Sequence, residues 1–209
     1  MIAVVDYGMG NLRSVSKALE RLGAAVTVTS QPDEIAAAEK VILPGVGAFG
    51  AAMDELNRRN LVAPITAAIA AGRPYLGICL GLQLLFRESE ESPGVAGFGV
   101  LPGTVRRFTS SNLKIPHMGW NQVTAAPLPA GTKPRRNPLL DGIPSNSFFY
   151  FVHSYYGDPT DKQVIALQAD YGAPFPAMLQ LGKLFATQFH PEKSQAVGLK
   201  LLENFVKLP

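Results

Sequence analysis

Residues 74–86 read PYLGICLGLQLLF, and they contain the only cysteine of the 209-residue chain, Cys79. The apolar run before Cys79 predicts a strand, and the apolar run after it predicts a helix. Gly77 and Gly81 flank the cysteine in the G-x-nucleophile-x-G pattern of a sharp strand-to-helix turn. Such a turn presents the side chain above a sheet edge, at the head of a helix whose positive end favours the thiolate. A buried structural cysteine between two packing glycines fits the pentapeptide equally well.

The alternation of strands and helices continues through the first half of the chain. Strand-like runs at 2–6, 25–29, 41–43 and 75–78 are separated by helical patterns that begin at Leu12, Pro32 and Pro64. This order predicts an open α/β sheet, mostly parallel, with helices on both faces. After Gly99, strand-like stretches separated by turn residues predict antiparallel additions to the same sheet, followed by a final helix from Ser194 to Lys207.

The segment AAPLPAGTKPRRNP at residues 125–138 is rich in proline and basic residues, which predicts a surface loop. It interrupts a run of strands and does not separate two balanced halves. We therefore expect a single domain spanning residues 1–209.

The composition excludes several classes of protein. Hydrophobic residues make up 47% of the chain and charged residues 17%, which is typical of a globular domain. No apolar stretch approaches the roughly 18–20 residues that span a bilayer, and the start MIAVVDYG lacks the features of a signal peptide, so we expect a cytoplasmic protein without a membrane partner. The net charge is +3, and basic residues cluster at 106–114 and 133–136. These clusters lack the interleaved aromatic residues of a nucleic-acid-binding surface, so we expect no nucleic-acid partner.

Two further patterns argue against a cofactor or a metal. DYGMGN at residues 6–11 has Arg13 where a dinucleotide-binding motif requires its third glycine. The histidines His117, His153 and His190 are far apart and match no metal-ligand spacing.

A second motif, QFHPEKS at residues 188–194, favours a catalytic role for Cys79. His190 and Glu192 are two residues apart in a segment that we expect to be extended, because Pro191 restricts the residue before it. A carboxylate beside an imidazole fixes its tautomer and stabilises the imidazolium that forms when the ring takes a proton from a thiol. His153, in the polar stretch HSYYGD, is a rival base that the sequence does not exclude.

The loop Pro44-Gly45-Val46-Gly47 follows a neighbouring predicted strand. Ligands of open α/β sheets bind at the carboxyl ends of the strands, so we expect this loop near Cys79. A backbone N–H of the loop and that of Leu80 would then stabilise an oxyanion. A simple tight turn requires the same glycines.

Together these motifs carry a family resemblance. GICLGLQ (77–83) and QFHPEKS (188–194) resemble the motifs of the class I (triad) glutamine amidotransferases, and the resemblance covers essentially the whole chain. The stretches MIAVVDYGMGNLRSV (1–15), PHMGWN (116–121) and FYFVHSYY (149–156) resemble the branch of that family that serves histidine biosynthesis. Leu82 stands where methionine is usual, a volume-conserving change of little consequence.

The resemblance implies a glutaminase that hydrolyses L-glutamine to glutamate and ammonia without a cofactor or metal. Cys79 would attack the side-chain amide and form a glutamyl thioester, His190 would shuttle protons, and Glu192 would orient His190. Val46, Gly47 and Leu80 would form the oxyanion hole. The residues implied in holding the glutamine are Gln83, His153, Ser154 and Tyr155.

The resemblance also implies a partner, a cyclase subunit with a (β/α)8-barrel fold that receives the ammonia in a one-to-one pair. It places the docking surface at His117, Met118, Trp120 and Asn121, whereas composition alone favours a core position for Trp120. An amidotransferase of another pathway, such as anthranilate or aminodeoxychorismate synthesis, is the main alternative. A non-catalytic binding module that retains the turn as a relic is a third, which the intact Cys79, His190 and Glu192 argue against.

Overall fold

Short runs of apolar residues, many of them β-branched, form the parallel half of the central sheet. The computed structural model describes residues 1–109, 113–127, 131 and 136–209. In spatial order the parallel strands are β2 (Val26–Thr29), β1 (Ile2–Val5), β3 (Lys40–Gly45), β4 (Tyr75–Cys79) and β13 (Leu184–Thr187). The chain order reverses between β1 and β3, and the carboxyl ends beside such a reversal form the usual ligand crevice of open α/β sheets.

The other half of the central sheet is antiparallel. Beyond β13 follow β12 (Pro174–Leu181), β11 (Ile165–Asp170) and β8 (Thr124–Ala125). The predicted parallel sheet with antiparallel additions is thus confirmed for these strands. The expectation that residues 184–190 add an antiparallel strand next to the parallel ones is wrong, because β13 runs parallel to β4. All four residues of β13 are buried, so no alternation of polar and apolar residues indicated its surroundings.

The remaining strands form two small sheets, so the prediction that every strand after Gly99 joins one sheet is wrong. The stretch 148–156 is interrupted at Ser154; the part before it pairs in one sheet and the part after it pairs in another. Alternation of side chains identifies the faces of a strand but not its neighbour. One small sheet contains β5 (Phe86–Ser89), β6 (Leu101–Arg107) and β10 (Tyr155–Pro159), and the other contains β7 (His117–Gln122) and β9 (Phe148–His153).

Helices cover both faces of the central sheet, as predicted. One face carries α1 (Leu12–Arg21) and α6 (Gln195–Val206), and the other carries α2 (Pro32–Ala37), α3 (Phe49–Arg58) and α4 (Val62–Ala70). Along β1, Ile2 and Val4 pack with the first pair of helices, whereas Ala3 and Val5 pack with the second group. This alternation follows from the two-residue repeat of a strand.

Helix α3 was not predicted, although its buried residues have helical spacing. Phe49, Ala52, Met53 and Leu56 are all buried, and they recur at three- and four-residue intervals. The start of this pattern overlaps the glycine-rich stretch PGVGAFG at 44–50, which we interpreted as a loop. Short 3₁₀ turns at Pro138–Leu140, Lys162–Val164 and Pro191–Lys193 complete the secondary structure of the described residues.

Part of the proline-rich segment 125–138 lies outside the described residues, namely 128–130 and 132–135, and with them the basic residues Lys133 and Arg135. The surface-loop assignment and the single domain over residues 1–209 therefore stay predictions. Among the residues that the structure describes, no helix has both the length and the apolar character needed to cross a membrane.

Candidate active site

Cys79 ends β4 in a backbone conformation that non-glycine residues rarely adopt. Its φ is +55° and its ψ is −105°. The flanking glycines allow the chain to pack tightly around this turn. A Cβ on Gly77 would lie 2.5 Å from the Gly81 carbonyl oxygen, and a Cβ on Gly81 would lie 1.9 Å from the Leu43 carbonyl oxygen. The predicted sharp turn is confirmed, and a strained residue held this firmly is typical of a functional site.

The helix after Cys79 is shorter than predicted. It is α5 (Leu80–Gln83), and β5 already begins at Phe86. A helix of about one turn aligns few peptide dipoles, so it favours a thiolate less than the expected longer helix would. Other groups near Sγ must therefore contribute to stabilising a charged nucleophile.

The structure places His190 and Glu192 in direct contact. His190 has extended backbone, but Glu192 lies in the 3₁₀ turn, so the expectation of one extended segment is wrong for Glu192. The turn is closed by the Lys193 N–H, which donates to the His190 carbonyl oxygen. It brings His190 Nδ1 to 2.9 Å from Glu192 Oε1, and both side chains are buried. The carboxylate thus holds the proton of the ring on Nδ1.

The charge on His190 depends on Cys79. Burial alone would lower the pKa of His190, but the neighbouring Cys79 and the Glu192 carboxylate raise that pKa to about 10. Within the described residues, buried His190 Nε2 has no hydrogen-bond partner. This nitrogen is therefore positioned to exchange a proton with a group that enters beside Cys79.

Two residues at helix starts bond to this turn and do not cap their own helices. Ser194 precedes α6, as predicted, but its Oγ donates to the His190 carbonyl oxygen at 2.7 Å and accepts the Tyr150 N–H at 3.0 Å. Asn11 precedes α1, and its Nδ2 donates to Glu192 Oε1 at 3.4 Å. Both side chains give up a capping bond that is usual for their residue types. They hold the His190 turn and Glu192 in place.

A cavity of about 290 Å³ lies beside Cys79 at the carboxyl edge of the sheet. Its wall comes from the loop after β3, the cysteine turn and the break between β9 and β10. The structure therefore brings together residues that are far apart in the sequence. The predicted site residues on this wall are Val46, Gly47, Cys79, Leu80, Gln83, His153, Ser154 and Tyr155.

His153, the rival base, is held in other hydrogen bonds. Its Nδ1 lies 2.8 Å from the Tyr155 carbonyl oxygen, to which it donates, and its Nε2 lies 3.0 Å from His117 Nδ1. Burial lowers the pKa of His153 to about 3 and that of His117 to about 4, so both rings are neutral near pH 7. With Nε2 accepting from His117, neither nitrogen of His153 is left to take a proton from Cys79. The geometry favours His190 as the base.

The residues expected to dock a partner lie on opposite faces of β7. Met118 and Trp120 are 62% and 46% exposed, and Phe148 on the neighbouring strand is 52% exposed. His117 is 3% exposed and points to the other face, so it is not part of this surface. Asn121 is half-buried, and its Nδ2 lies 3.3 Å from His117 Nε2.

Gln188 is a site residue that the sequence motifs did not single out. It is fully buried, and its Nε2 lies 3.6 Å from Cys79 Sγ. A signal was present in the strand-like stretch LFATQFH at 184–190, because Gln188 and His190 are two residues apart in it and would share a face of a strand.

Glu91 also lines the cavity and was not predicted. Its Oε2 accepts the Phe49 N–H at 2.8 Å, which fixes the carboxylate. In the sequence it stands in the acidic run ESEES at 88–92, where nothing distinguishes it from Glu88 or Glu90.

Known proteins match this chain over nearly its whole length. The family model described as glutamine amidotransferase class-I matches residues 3–208. The chain belongs to the class-I glutamine amidotransferase family. Among curated relatives, "Imidazole glycerol phosphate synthase subunit HisH" of Moorella thermoacetica is 53% identical, over 99% of this chain and 94% of its own length. The protein of the same name from Rhodopirellula baltica is 51% identical, over 100% and 98%.

Solved structures of amidotransferases share the fold. A crystal structure of a glutamine amidotransferase matches this amidotransferase with a TM-score of 0.74 at 18% identity, over 100% of both chains. The structure of PurLQS from Thermotoga maritima matches with a TM-score of 0.74 at 19% identity, over 98% of this chain and 96% of that one. At such identities the likeness concerns the fold alone, and it confirms the predicted α/β architecture.

Proposed function

We propose that this amidotransferase hydrolyses L-glutamine and supplies the ammonia to imidazole glycerol phosphate synthase in histidine biosynthesis. The observation that carries the proposal is the buried contact of 2.9 Å between His190 and Glu192, beside the strained nucleophile turn at Cys79. The names of relatives that are 53% and 51% identical over nearly the whole chain support this pathway.

The first half of the reaction starts with Cys79 as a thiolate and His190 as an imidazolium. Sγ attacks the side-chain carbonyl carbon of glutamine, while N–H groups of Leu80 and of the Val46–Gly47 loop stabilise the oxyanion. His190 Nε2 then donates its proton to the departing amide nitrogen. Ammonia leaves, and a glutamyl thioester on Cys79 remains.

Water completes the cycle. His190 is now neutral, and its Nε2 accepts a proton from the water that attacks the thioester carbonyl. The carbon–sulfur bond breaks, glutamate leaves, and the thiolate and imidazolium are restored. Glu192 accepts a hydrogen bond from the Nδ1–H group throughout, which keeps Nε2 as the nitrogen that exchanges protons.

The cavity wall offers acceptors for the charged end of a free amino acid. Gln83 donates both hydrogens of its Nε2, to the Tyr155 carbonyl oxygen at 2.9 Å and to Gln188 Oε1 at 3.3 Å. Its Oε1 is then the atom that accepts from the α-ammonium of glutamine. The fixed Glu91 carboxylate supplies the opposite charge. His153 and Ser154 contribute to the same wall, and the hydrogen bond from His153 to Tyr155 keeps it rigid.

The partner in this proposal is a (β/α)8-barrel cyclase subunit, in a one-to-one complex in the cytoplasm. Met118, Trp120 and Phe148 expose apolar side chains on one small sheet, and such a patch is typical of a protein interface. Asn121 bonds His117 on the opposite face of β7, so it supports the strand and is not part of the patch. The cyclase would combine the ammonia with a phosphorylated nucleotide to give imidazole glycerol phosphate and aminoimidazole carboxamide ribotide. Amidotransferases of anthranilate or aminodeoxychorismate synthesis use different partners, so partner identity separates the alternatives.

The catalytic role of Cys79 can be tested with an electrophilic glutamine analogue that forms a covalent bond with the Cys79 sulfur. Mass spectrometry of the treated protein is expected to show one adduct on the peptide containing Cys79, and Cys79→Ala is expected to show none and to lose glutamine hydrolysis. Excess L-glutamine should protect the wild type, because both ligands occupy one cavity. An unmodified thiol, or full hydrolysis by Cys79→Ala, would overturn the role assigned to Cys79.

A further inference from the structure

We propose that Gln188 is a hydrogen-bond donor to the Cys79 sulfur that stabilises its thiolate form. This inference rests on the proposed function, in which Cys79 is the nucleophile. Gln188 is fully buried, and its Nε2 lies 3.6 Å from Cys79 Sγ, a hydrogen-bonding distance for a sulfur acceptor. Among the hydrogen bonds of the described residues, it is the N–H donor that reaches this sulfur.

The surrounding hydrogen bonds fix which end of the Gln188 amide faces the sulfur. Gln83 Nε2 donates to Gln188 Oε1 at 3.3 Å, so the oxygen is occupied and the amide nitrogen is directed to Sγ. Gln83 is itself held by the Tyr155 carbonyl oxygen at 2.9 Å, which also accepts from His153 Nδ1. An inverted Gln188 amide would place two N–H groups against each other and an oxygen against the thiolate.

Gln188 acts on the Cys79 sulfur together with two other groups, the short helix α5 and the ring of His190. The four-residue α5 has a small dipole, whereas His190 interacts with Cys79 strongly enough for its pKa to be raised. A hydrogen bond to a charged acceptor is about twice as strong as one between neutral groups. A donor in a dry site therefore shifts the thiol–thiolate equilibrium by about tenfold.

Few other groups near the sulfur titrate at moderate pH. Burial and the nearby Cys79 raise the pKa of Tyr7, so its hydroxyl stays protonated. Burial lowers the pKa of His153 to about 3, so that ring stays neutral. Neither Tyr7 nor His153 therefore changes its charge near pH 7, and His190 is the charged ring that interacts with Cys79. The ionisable groups around the site are His190 and Glu192 from the 3₁₀ turn, Tyr7 after β1, His153 at the end of β9 and Glu91 on the cavity wall.

The test uses the fact that Cys79 is the only cysteine of the chain. The rate of alkylation by iodoacetamide, measured against pH on the full chain, reports the thiolate fraction of Cys79 alone. Gln188→Met keeps similar volume but removes the donor, so the midpoint of the profile is expected to rise by about one pH unit. Gln180→Met, in which the lost amide donor bonds the Arg136 carbonyl oxygen, is the matched control and should keep the wild-type midpoint.

A structural role for Gln188 would leave that midpoint in place. An unchanged midpoint in a cooperatively folded Gln188→Met protein therefore overturns the inference. If Gln188→Met does not fold, Gln83→Met replaces it: without the Gln83 donor the Gln188 amide is free to turn, so the midpoint should rise by a smaller amount. No rise in Gln83→Met would then contradict the proposal.

A kinetic readout separates this inference from the proposed function. In the complex with the cyclase subunit, Gln188→Met should lower kcat for glutamine hydrolysis by about tenfold and leave KM within about twofold, since Gln188 does not line the cavity. Failure of the wild type to hydrolyse glutamine would refute the proposed function, while the alkylation profile would still report on the Gln188 bond.

Discussion

At the scale of single residues, the chemistry depends on which atoms hold protons around Cys79. The Nδ1 proton of His190 is held by Glu192, whose Oε1 also accepts from Asn11. Burial would make His190 neutral, but Cys79 and Glu192 together raise its pKa to about 10. His190 is therefore a cation near pH 7.

Glu192→Gln should weaken this arrangement in a way that a pH profile detects. Without the carboxylate the imidazolium loses a stabilising partner, so the pKa of His190 falls and the proton needed by the departing ammonia is lost at lower pH. The alkaline limb of kcat/KM for glutamine should move to lower pH, and kcat should fall by about a hundredfold or more.

Glu203→Gln provides the matched control. Glu203 is a carboxylate on α6 that pairs with Lys200 and Lys207, away from the cavity wall. Its removal should leave the profile of kcat/KM unchanged. Identical alkaline limbs in the wild type and Glu192→Gln would show that Glu192 does not set the charge on His190.

At the scale of elements, the site depends on how closely the cysteine turn packs against β3. Gly81→Ala would place a methyl group 1.9 Å from the Leu43 carbonyl oxygen, a backbone atom that cannot move alone. We expect this variant to lose about 1–3 kcal/mol of unfolding free energy, and glutaminase activity with it, because the turn must shift. Chemical denaturation measures the loss.

Gly182→Ala is the control that distinguishes the effect of a steric clash from the effect of an unfavourable backbone conformation. Gly182 has a φ of +59°, but a Cβ at this position would have no heavy-atom neighbour within 4 Å. Its substitution should cost only about 1 kcal/mol and leave activity intact, since the site is not displaced. Equal losses of activity in both variants would argue against the packing explanation for Gly81.

Helices and strands with one clear hydrophobic periodicity were predictable from the sequence. Which strands pair with each other was only partly predictable. The alternation around β1, α1 and β4 predicted the parallel sheet, and the glycines around Cys79 predicted its turn. The pairing of β13 with β4 was not predictable, because β13 is buried on both faces and carries no alternation. The split of residues 148–156 at Ser154 follows from tertiary contacts that the apolar pattern does not record.

At the scale of the whole molecule, the fold brings the ends of the chain together. Asn11, near the start of the chain, donates a hydrogen bond to Glu192, near its end. The sequence predicted the residues that line the cavity through motif and resemblance, but Glu91 and Gln188 required the structure. Glu91 bonds Phe49 and Gln188 bonds Cys79, and both contacts join segments far apart in the chain, so the sequence did not show these partners.

The cavity also lies close to the surface that we expect to bind a partner. The exposed Trp120 and Met118 lie on β7, and the opposite face of β7 carries His117, which bonds His153 on the cavity wall. A protein bound to the exposed face is thus one strand away from the cavity beside Cys79. The isolated chain is expected to be a weak glutaminase whose activity rises when the cyclase subunit and its nucleotide ligand are present.

The most direct test of the central claim measures imidazole glycerol phosphate formation by this chain with the cyclase subunit, supplied either with glutamine or with ammonium. The wild-type complex should use both nitrogen sources. The complex containing Cys79→Ala should lose the glutamine-dependent reaction and keep the ammonium-dependent one. Glutamine-dependent synthesis that survives Cys79→Ala, or ammonium-dependent synthesis that disappears with it, would contradict the account of Cys79 as the source of ammonia for a separate synthase subunit.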